Sequence, residues 1–312
     1  MRTIVLDGES LGYADLRALS RDFLQREVKL RIAPAAERRV RQSRAVVEKA
    51  IRDGRTLYGV NTGFGRLSDT RIDAAKLEEL QEKLLLSHSA GMGIPIHEVG
   101  VMIALRANAL LIGYSGVTPG LVRRLVELYN RGVIPVILDQ GSVGASGDLA
   151  PLAQLGAAML GHGEAFLGTT KYSAAAALKR ARLAPYRFRP KEALSLINGT
   201  PFTSALLSRI LADAEDLLKL ADIAGAMSLE ALKGSLKPFD PRFHRHRPHP
   251  GQLASAHNIR SLLLRSEVLE SHRQCQKVQD AYSLRCIPQV HGAARDAWGY
   301  CLLYTSPSPR DS

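Results

Sequence analysis

The spacing of apolar and polar positions predicts helices over most of the chain. In DAAKLEELQEKLLLSH (73–88), Leu77, Leu80, Leu84 and His88 fall on one stripe at helical spacing and Asp73 stands where an N-cap would, so His88 is expected to face inward. EVGVMIALRANALLIG predicts a second helix. Thr118-Pro119 opens a third, which Gly132 closes, following the preference for proline in a first turn and glycine past a last one. VIPVIL (133–138) reads as a short strand that delivers the chain into GSVGASGDLAPLA (141–153). From there LAPLAQLGAAMLG continues as a helix, with Asp148 at the N-cap position. A long periodic stretch from Ser204 to Leu232, stopped at Gly234, reads as a core helix of a bundle. KPFDPRFHRHRPHPGQ reads as a loop, followed by a helix over 261–272 and then QDAYSLRCIPQVHGAARDAWGY.

Composition agrees with the pattern. The 312 residues suffice for one large domain or two ordinary ones, and 46% hydrophobic residues suffice for a core. Aromatic residues make up only 5%, which favours an all-α, mainly helical fold over a sheet sandwich. The start, MRTIVLDGES, is not a secretory signal, and nowhere do eighteen apolar residues run together, so a cytoplasmic protein with no membrane partner is expected. Cys275, Cys286 and Cys301 lack CxxC spacing and support neither a disulfide scaffold nor a zinc site.

A net charge of +12 invites a nucleic-acid reading. The arginines are scattered through helices without interleaved aromatic platforms, so no nucleic-acid partner is expected. His244, His246 and His249 in FHRHRPHPG invite a metal reading, but they lie in a proline-rich basic run without carboxylate or cysteine partners. A solvated loop and no metal are expected there.

Organisation follows from these elements. Residues 1–200 are expected to form an N-terminal domain carrying the glycine-rich segment, and 201–300 the start of a central helical bundle. The last twelve residues, CLLYTSPSPRDS, change character in mid-helix and read as a non-native tail (301–312) of adaptor or cloning origin. The natural chain is then expected to continue, which makes this an N-terminal fragment.

Glycine-rich turns ahead of helices often cradle phosphate, yet GSVGASGDL contains neither GxxxxGK[ST] nor GxGxxG, and Asp148 at its mouth would repel an anion. A different chemistry suits Ala145-Ser146-Gly147. Glycine has no side chain to shield its nitrogen, so in a tight bend Gly147 N can attack the carbonyl carbon of Ala145. Loss of water from that adduct, and of the Ser146 hydroxyl, leaves an exocyclic methylidene conjugated to an imidazolone, a strong electrophile abbreviated MIO.

GSVGASGDLAPLA resembles the signature of the aromatic amino acid ammonia-lyases, whose prosthetic group is MIO. YGVNTGFG (58–65), LLLSHSAGMG (84–93), NGT (198–200) and QDAYSLRCIPQVHGAARDA (279–297) agree with that family in the same order. SHSAG, NGT, YSLRC and PQVHGAARDA are most similar to its histidine ammonia-lyase branch, and the resemblance covers residues 1 to about 300. It implies the fumarase/aspartase-like helical bundle, C-terminally truncated, with no diffusible cofactor.

The resemblance also assigns roles. Tyr58 matches the base that removes the substrate β-proton, and a phenol titrating near ~10 needs a site that favours its phenolate. Asn61, Gly63 and Gly65 are expected to shape the loop around it. Arg285 matches the residue that binds the substrate carboxylate with its planar fork of donors, and Tyr282 a second active-site position. The two share a face if YSLR is helical, which Pro288 discourages just ahead of itself. Asn198 is implied near the MIO carbonyl or the substrate, His88 where the substrate side chain is read, and Gln279 as a further polar contact.

The parent implied is a homotetramer that converts L-histidine to urocanate and ammonia, in histidine catabolism, with active sites combining residues of different subunits. A tyrosine or phenylalanine ammonia-lyase or aminomutase is the alternative, since MIO, tyrosine and arginine are common to all. The 312-residue chain by itself is expected to be inactive or insoluble.

Overall fold

The computed structural model describes residues 1–22, 27–63, 70–274 and 276–304. Phe64 and Gly65 of the YGVNTGFG run, Cys275 and the segment 305–312 lie outside these. The chain is mainly helical and divides into two compact units between Arg209 and Ile210.

The first unit runs β1 (Arg2–Leu6), α1 (Tyr13–Arg21), β2 (Val28–Ile32), α2 (Pro34–Arg52), α3 (Leu77–His88), β3 (Met92–Pro95), α4 (Val99–Leu111) and α5 (Pro119–Asn130). It continues with β4 (Val133–Pro135), β5 (Leu138–Gln140), α6 (Leu149–Leu160), β6 (Glu164–Leu167), β7 (Thr170–Ser173), α7 (Ala174–Arg180), α8 (Glu192–Ile197) and the start of α9 (Pro201–Ala231). Its strands form three small sheets: parallel β1–β2, antiparallel β3–β5 and antiparallel β4–β6–β7.

VIPVIL is therefore two strands in different sheets, not one. The chain turns between them at Val136 and Ile137, with Ile137 fully buried. The helix expected from Asp73 opens as a 3-10 turn over Ala74–Lys76 before α3 begins.

Helix α4 is apolar almost all round, and Val99, Met102, Ile103, Ala104, Ala107, Leu110 and Leu111 are sealed in the core. Such a helix is buried rather than amphipathic. Helices α3, α6 and α8 pack against one another. At their contact a Cβ on Gly156 would meet Leu85 Cδ2 at 2.6 Å, so a side chain there would have to displace Leu85.

Buried polar side chains close the helix ends that this packing hides from water. Gln81, fully buried on α3, accepts from Ala193 N (3.1 Å) in the first turn of α8. Glu192, also fully buried, accepts from Thr118 N (2.9 Å) and Thr118 Oγ1 (2.7 Å) ahead of α5, and from Arg189 N (2.8 Å). Burial, followed by the charge of Glu192, pushes the Tyr186 hydroxyl well above the ordinary phenol range. Glu192→Ala leaves these donors unpaired in the core and is expected to cost about 2–4 kcal/mol, read as a lower denaturant midpoint with an unchanged slope.

The second unit holds the rest of α9, then α10 (Pro241–His244), α11 (Pro250–Leu262), α12 (Glu267–Ser271), α13 (Tyr282–Arg285) and α14 (Ile287–Tyr304). Its core is small: Ala226, Leu229, Phe239, Ile259, Leu263, Leu284 and Ile287. Helices α11 and α14 meet at paired glycines, where a Cβ on Gly251 would lie 2.2 Å from Gly292 O. Asp222 on α9 ties the three long helices. It accepts from Ser255 Oγ (2.6 Å) and Asn258 Nδ2 (2.7 Å) of α11, and from His291 Nδ1 (2.9 Å) and Arg295 Nη2 (2.5 Å) of α14.

Two expectations fail in this unit. The run read as a solvated loop contains a 3-10 turn over Lys237–Phe239 and the helix α10. Phe239 and His244 are buried in it, and Gln252 Nε2 donates to His244 Nδ1 (2.8 Å). Helix 261–272 is instead α11, which starts eleven residues earlier with Pro250 in its first turn, and the separate α12. Arg265 breaks the path at φ 65°, and Ser266 caps α12 through Leu269 N. No helix among the described residues is long and apolar enough to cross a membrane.

Candidate active site

The glycine-rich segment forms a projecting bend whose base is fixed and whose tip is open. Gly141, Gly144 and Gly147 take φ of 155°, 63° and 141°, a region that disfavours side chains and allows the sharp reversal. Ala145 and Ser146 are exposed, whereas Gly147 and Asp148 are buried. Among the described residues the Gly147 nitrogen donates no hydrogen bond.

The base rests on the junction between α8 and α9. A Cβ on Gly147 would meet Gly199 N at 2.4 Å and Gly199 O at 2.8 Å, and Asp148 N donates to Gly199 O (2.7 Å). The Asn198-Gly199 backbone is thus pressed directly against the tripeptide. Asn198 ends α8 in extended conformation, with its side chain exposed beside the bend.

Asp148 occupies the N-cap position of α6 without capping it. Its fully buried carboxylate accepts instead from Thr203 N (2.9 Å) and Thr203 Oγ1 (2.8 Å) in the first turn of α9, and from Ser142 Oγ (2.7 Å). The acid expected to cap the following helix caps a later one. It closes the bend through Ser142 at the same time, which matches an acidic group to the positive end of α9.

Two further site residues expected from the sequence, Tyr58 and His88, belong to the first unit. Tyr58 lies in the turn Leu57–Asn61 and is 61% exposed. Asn61, buried beneath it, accepts from Leu57 N (2.8 Å) and donates to Arg55 O (2.7 Å), which shapes the loop as expected.

His88 is half-buried at the last residue of α3, not sealed in the core. Its Nδ1 lies 2.9 Å from Leu84 O, a group that can only accept, so the proton belongs on Nδ1. In the neutral ring Nε2 is then left as an acceptor.

Gln279, Tyr282 and Arg285 belong to the second unit and line one open groove of about 1000 Å³ there. YSLR is helical, as α13, and its Arg285 guanidinium lies 5.9 Å from the Tyr282 ring centroid, so the pair shares a face. The helix breaks at Cys286, and Pro288 enters the first turn of α14, where a missing N–H costs nothing. Tyr282 and Gln279 are exposed and Arg285 half-buried.

Sequence reasoning missed Arg106 as well as the real task of Asp148. Arg106 sits in the apolar run of α4, and an arginine amid buried neighbours in VMIALRANALL is itself a sign of a paired internal charge. Its guanidinium donates to Ser195 O and to Asn198 O (2.8 Å), the last carbonyls of α8.

Residues 11–303 match the family model of the aromatic amino acid lyases. Histidine ammonia-lyase of Anaeromyxobacter sp. strain K is 47% identical over 96% of this chain, and that of Gloeobacter violaceus 50% identical over 95%. The chain spans 61% and 57% of the lengths of these two relatives. The crystal structure of histidine ammonia-lyase from Trypanosoma cruzi superposes with a TM-score of 0.85 at 38% identity, covering 98% of this chain and 57% of that one.

Proposed function

The chain belongs to the aromatic amino acid lyase family, and from that membership we propose that the protein it carries is a histidine ammonia-lyase, releasing ammonia from L-histidine to give urocanate. The observation that carries this reading is the bend at 145–147: an exposed serine between an alanine and a buried glycine, stacked on Asn198-Gly199. These residues fit the MIO group. The Gly147 nitrogen is uncommitted, Ser146 stands clear to lose its hydroxyl, and the flanking glycines accept the bend. MIO supplies an electrophile that turns the substrate's α-amino group into a leaving group.

The remaining residues bind, orient and move a proton. Tyr58 is the base for the β-proton, on a loop that Asn61 holds from below. Asn198 offers its amide beside the tripeptide. His88 presents Nε2 as an acceptor toward the imidazole N–H of the substrate, with its tautomer set by Leu84 O. Arg285 grips the carboxylate by its fork of donors, steadied by Tyr282, and Gln279 adds a polar contact from the same groove.

This protein acts as a homotetramer in the cytoplasm, with MIO and Arg285 meeting across subunits. The exposed Leu217, Leu220 and Met227 on α9 support such an assembly. The test is an assay of a full-length chain with histidine, tyrosine and phenylalanine. Urocanate is expected to form at least about tenfold faster than coumarate or cinnamate at equal substrate. A preference for tyrosine or phenylalanine would replace this reading with the corresponding lyase or aminomutase.

A further inference from the structure

We propose that Arg106 is a positioning residue for the tripeptide, a buried clamp that holds the α8–α9 junction in the shape on which Ala145-Ser146-Gly147 closes its ring. The proposal rests on the MIO reading given above. Arg106 lies on α4, away from the bend in sequence, and is 4% exposed. Its guanidinium donates to Ser195 O and Asn198 O, satisfying carbonyls that the end of α8 leaves unpaired, at the negative pole of that helix.

Two glycines transmit this grip. A Cβ on Gly199 would lie 2.2 Å from Arg106 Nη1, so the guanidinium comes this close to the Gly199 backbone because no side chain intervenes. Against the same residue Gly147 has room for no side chain either: a Cβ there would lie 2.4 Å from Gly199 N. The guanidinium and the Gly147 backbone therefore both press on the Asn198-Gly199 backbone. The hydrogen bond from Asp148 N to Gly199 O (2.7 Å) ties the end of the tripeptide to that same backbone.

Ring closure requires Gly147 N to be held against the Ala145 carbonyl carbon, and the backbone pressed against Gly147 is the one Arg106 fixes. The closure itself forms the bond between Gly147 N and Ala145 C and expels the carbonyl oxygen as water. A second water leaves with the Ser146 hydroxyl and its α-hydrogen, with no oxidant or co-reactant. Arg106 takes no part in these bonds. Its contribution is orientation, and misplacement on the order of 1 Å costs about 100-fold in rate.

The experiment compares full-length wild-type protein with Arg106→Met and Arg106→Lys, following by mass spectrometry the two-water deficit of the peptide that contains 145–147. Arg106→Met is expected to fold, judged by its circular dichroism, and to acquire the deficit about 100-fold more slowly. Arg106→Lys, which keeps the charge but not the fork, is expected to fall between. Matured Arg106→Lys is expected to show a lowered kcat with KM unchanged, because Asn198 is displaced while the carboxylate site is not.

A wild-type rate of ring formation in folded Arg106→Met overturns the clamp. If Arg106→Met does not fold, Gly199→Ala decides, since it retains the guanidinium but wedges it off the junction. Slow closure there supports the clamp and wild-type closure refutes it. Absence of the deficit in the wild-type protein is a different result: it removes the MIO reading itself, and the clamp with it.

Discussion

Ser146→Ala in a full-length chain is expected to abolish ammonia release, by roughly four orders of magnitude or more, while leaving the fold unchanged. The two halves of that expectation have separate causes. Ser146 is exposed and no packing depends on its hydroxyl, so alanine is tolerated at little cost in stability. In the proposed chemistry Ser146 Cβ becomes the methylidene carbon as the hydroxyl departs with the α-hydrogen, so without that hydroxyl no methylidene forms and the substrate amine would remain a poor leaving group. The measurement pairs the assay with the mass of the peptide spanning 145–147, which should be two waters lighter in the wild-type protein and not in the variant. An active Ser146→Ala enzyme, or a wild-type tripeptide intact in active enzyme, would sink the mechanism. Thermal unfolding of both proteins separates loss of chemistry from loss of fold.

The contrast between Ser146 and Asp148 shows what was legible in the chain and what was not. A helix over LAPLAQLGAAMLG and an acid at its N-cap position follow from local pattern, and both are present. That the acid serves the start of α9, fifty-five residues on, is a tertiary fact with no local signal. Periodicity read α4 and α9 well, because continuous apolar faces mark burial directly. It failed at α11, where Pro250, Gly251, His257 and Asn258 carry weak helical preference and packing against α14 decides.

Tyr282 and Arg285 were readable as a pair because they stand three positions apart and one helical turn closes that distance. Arg106 was not. Its partners are backbone carbonyls some ninety residues away, and backbone groups carry no sequence identity. The same limit applies to Glu192 and Gln81, whose buried side chains meet N–H groups of other helices. The proposed chemistry was thus written in contiguous motifs, and the scaffolding around it in contacts that only folding creates.

Asp222→Ala is expected to give the largest loss of stability, about 3–5 kcal/mol, because it strips a buried carboxylate from donors that have no other acceptor of that charge. Arg295 and His291 of α14 and Ser255 and Asn258 of α11 all converge on it, and Asp222 itself is almost wholly buried. Burial alone would raise the Asp222 pKa, but the hydrogen bonds from Ser255, Asn258 and His291 and the charge of Arg295 outweigh it and hold the carboxyl below its ordinary value.

The sign follows from that depression. The stabilisation is fully present above the unfolded carboxyl's pKa, near ~3.9, and is lost as pH falls through the lower folded value. Wild-type protein should accordingly lose stability in acid more steeply than Asp222→Asn, which keeps the shape without the titration. A joint replacement, Asp222→Leu with Arg295→Met, removes both charges and should cost less than Asp222→Ala alone, since the dominant penalty is a stranded guanidinium rather than a missing bond. Denaturant unfolding of the three variants at neutral pH decides this. An Asp222→Ala midpoint equal to wild type, or a double variant weaker than the single one by more than the alanine change itself, would show that the three helices are held by their small apolar core and not by the carboxylate.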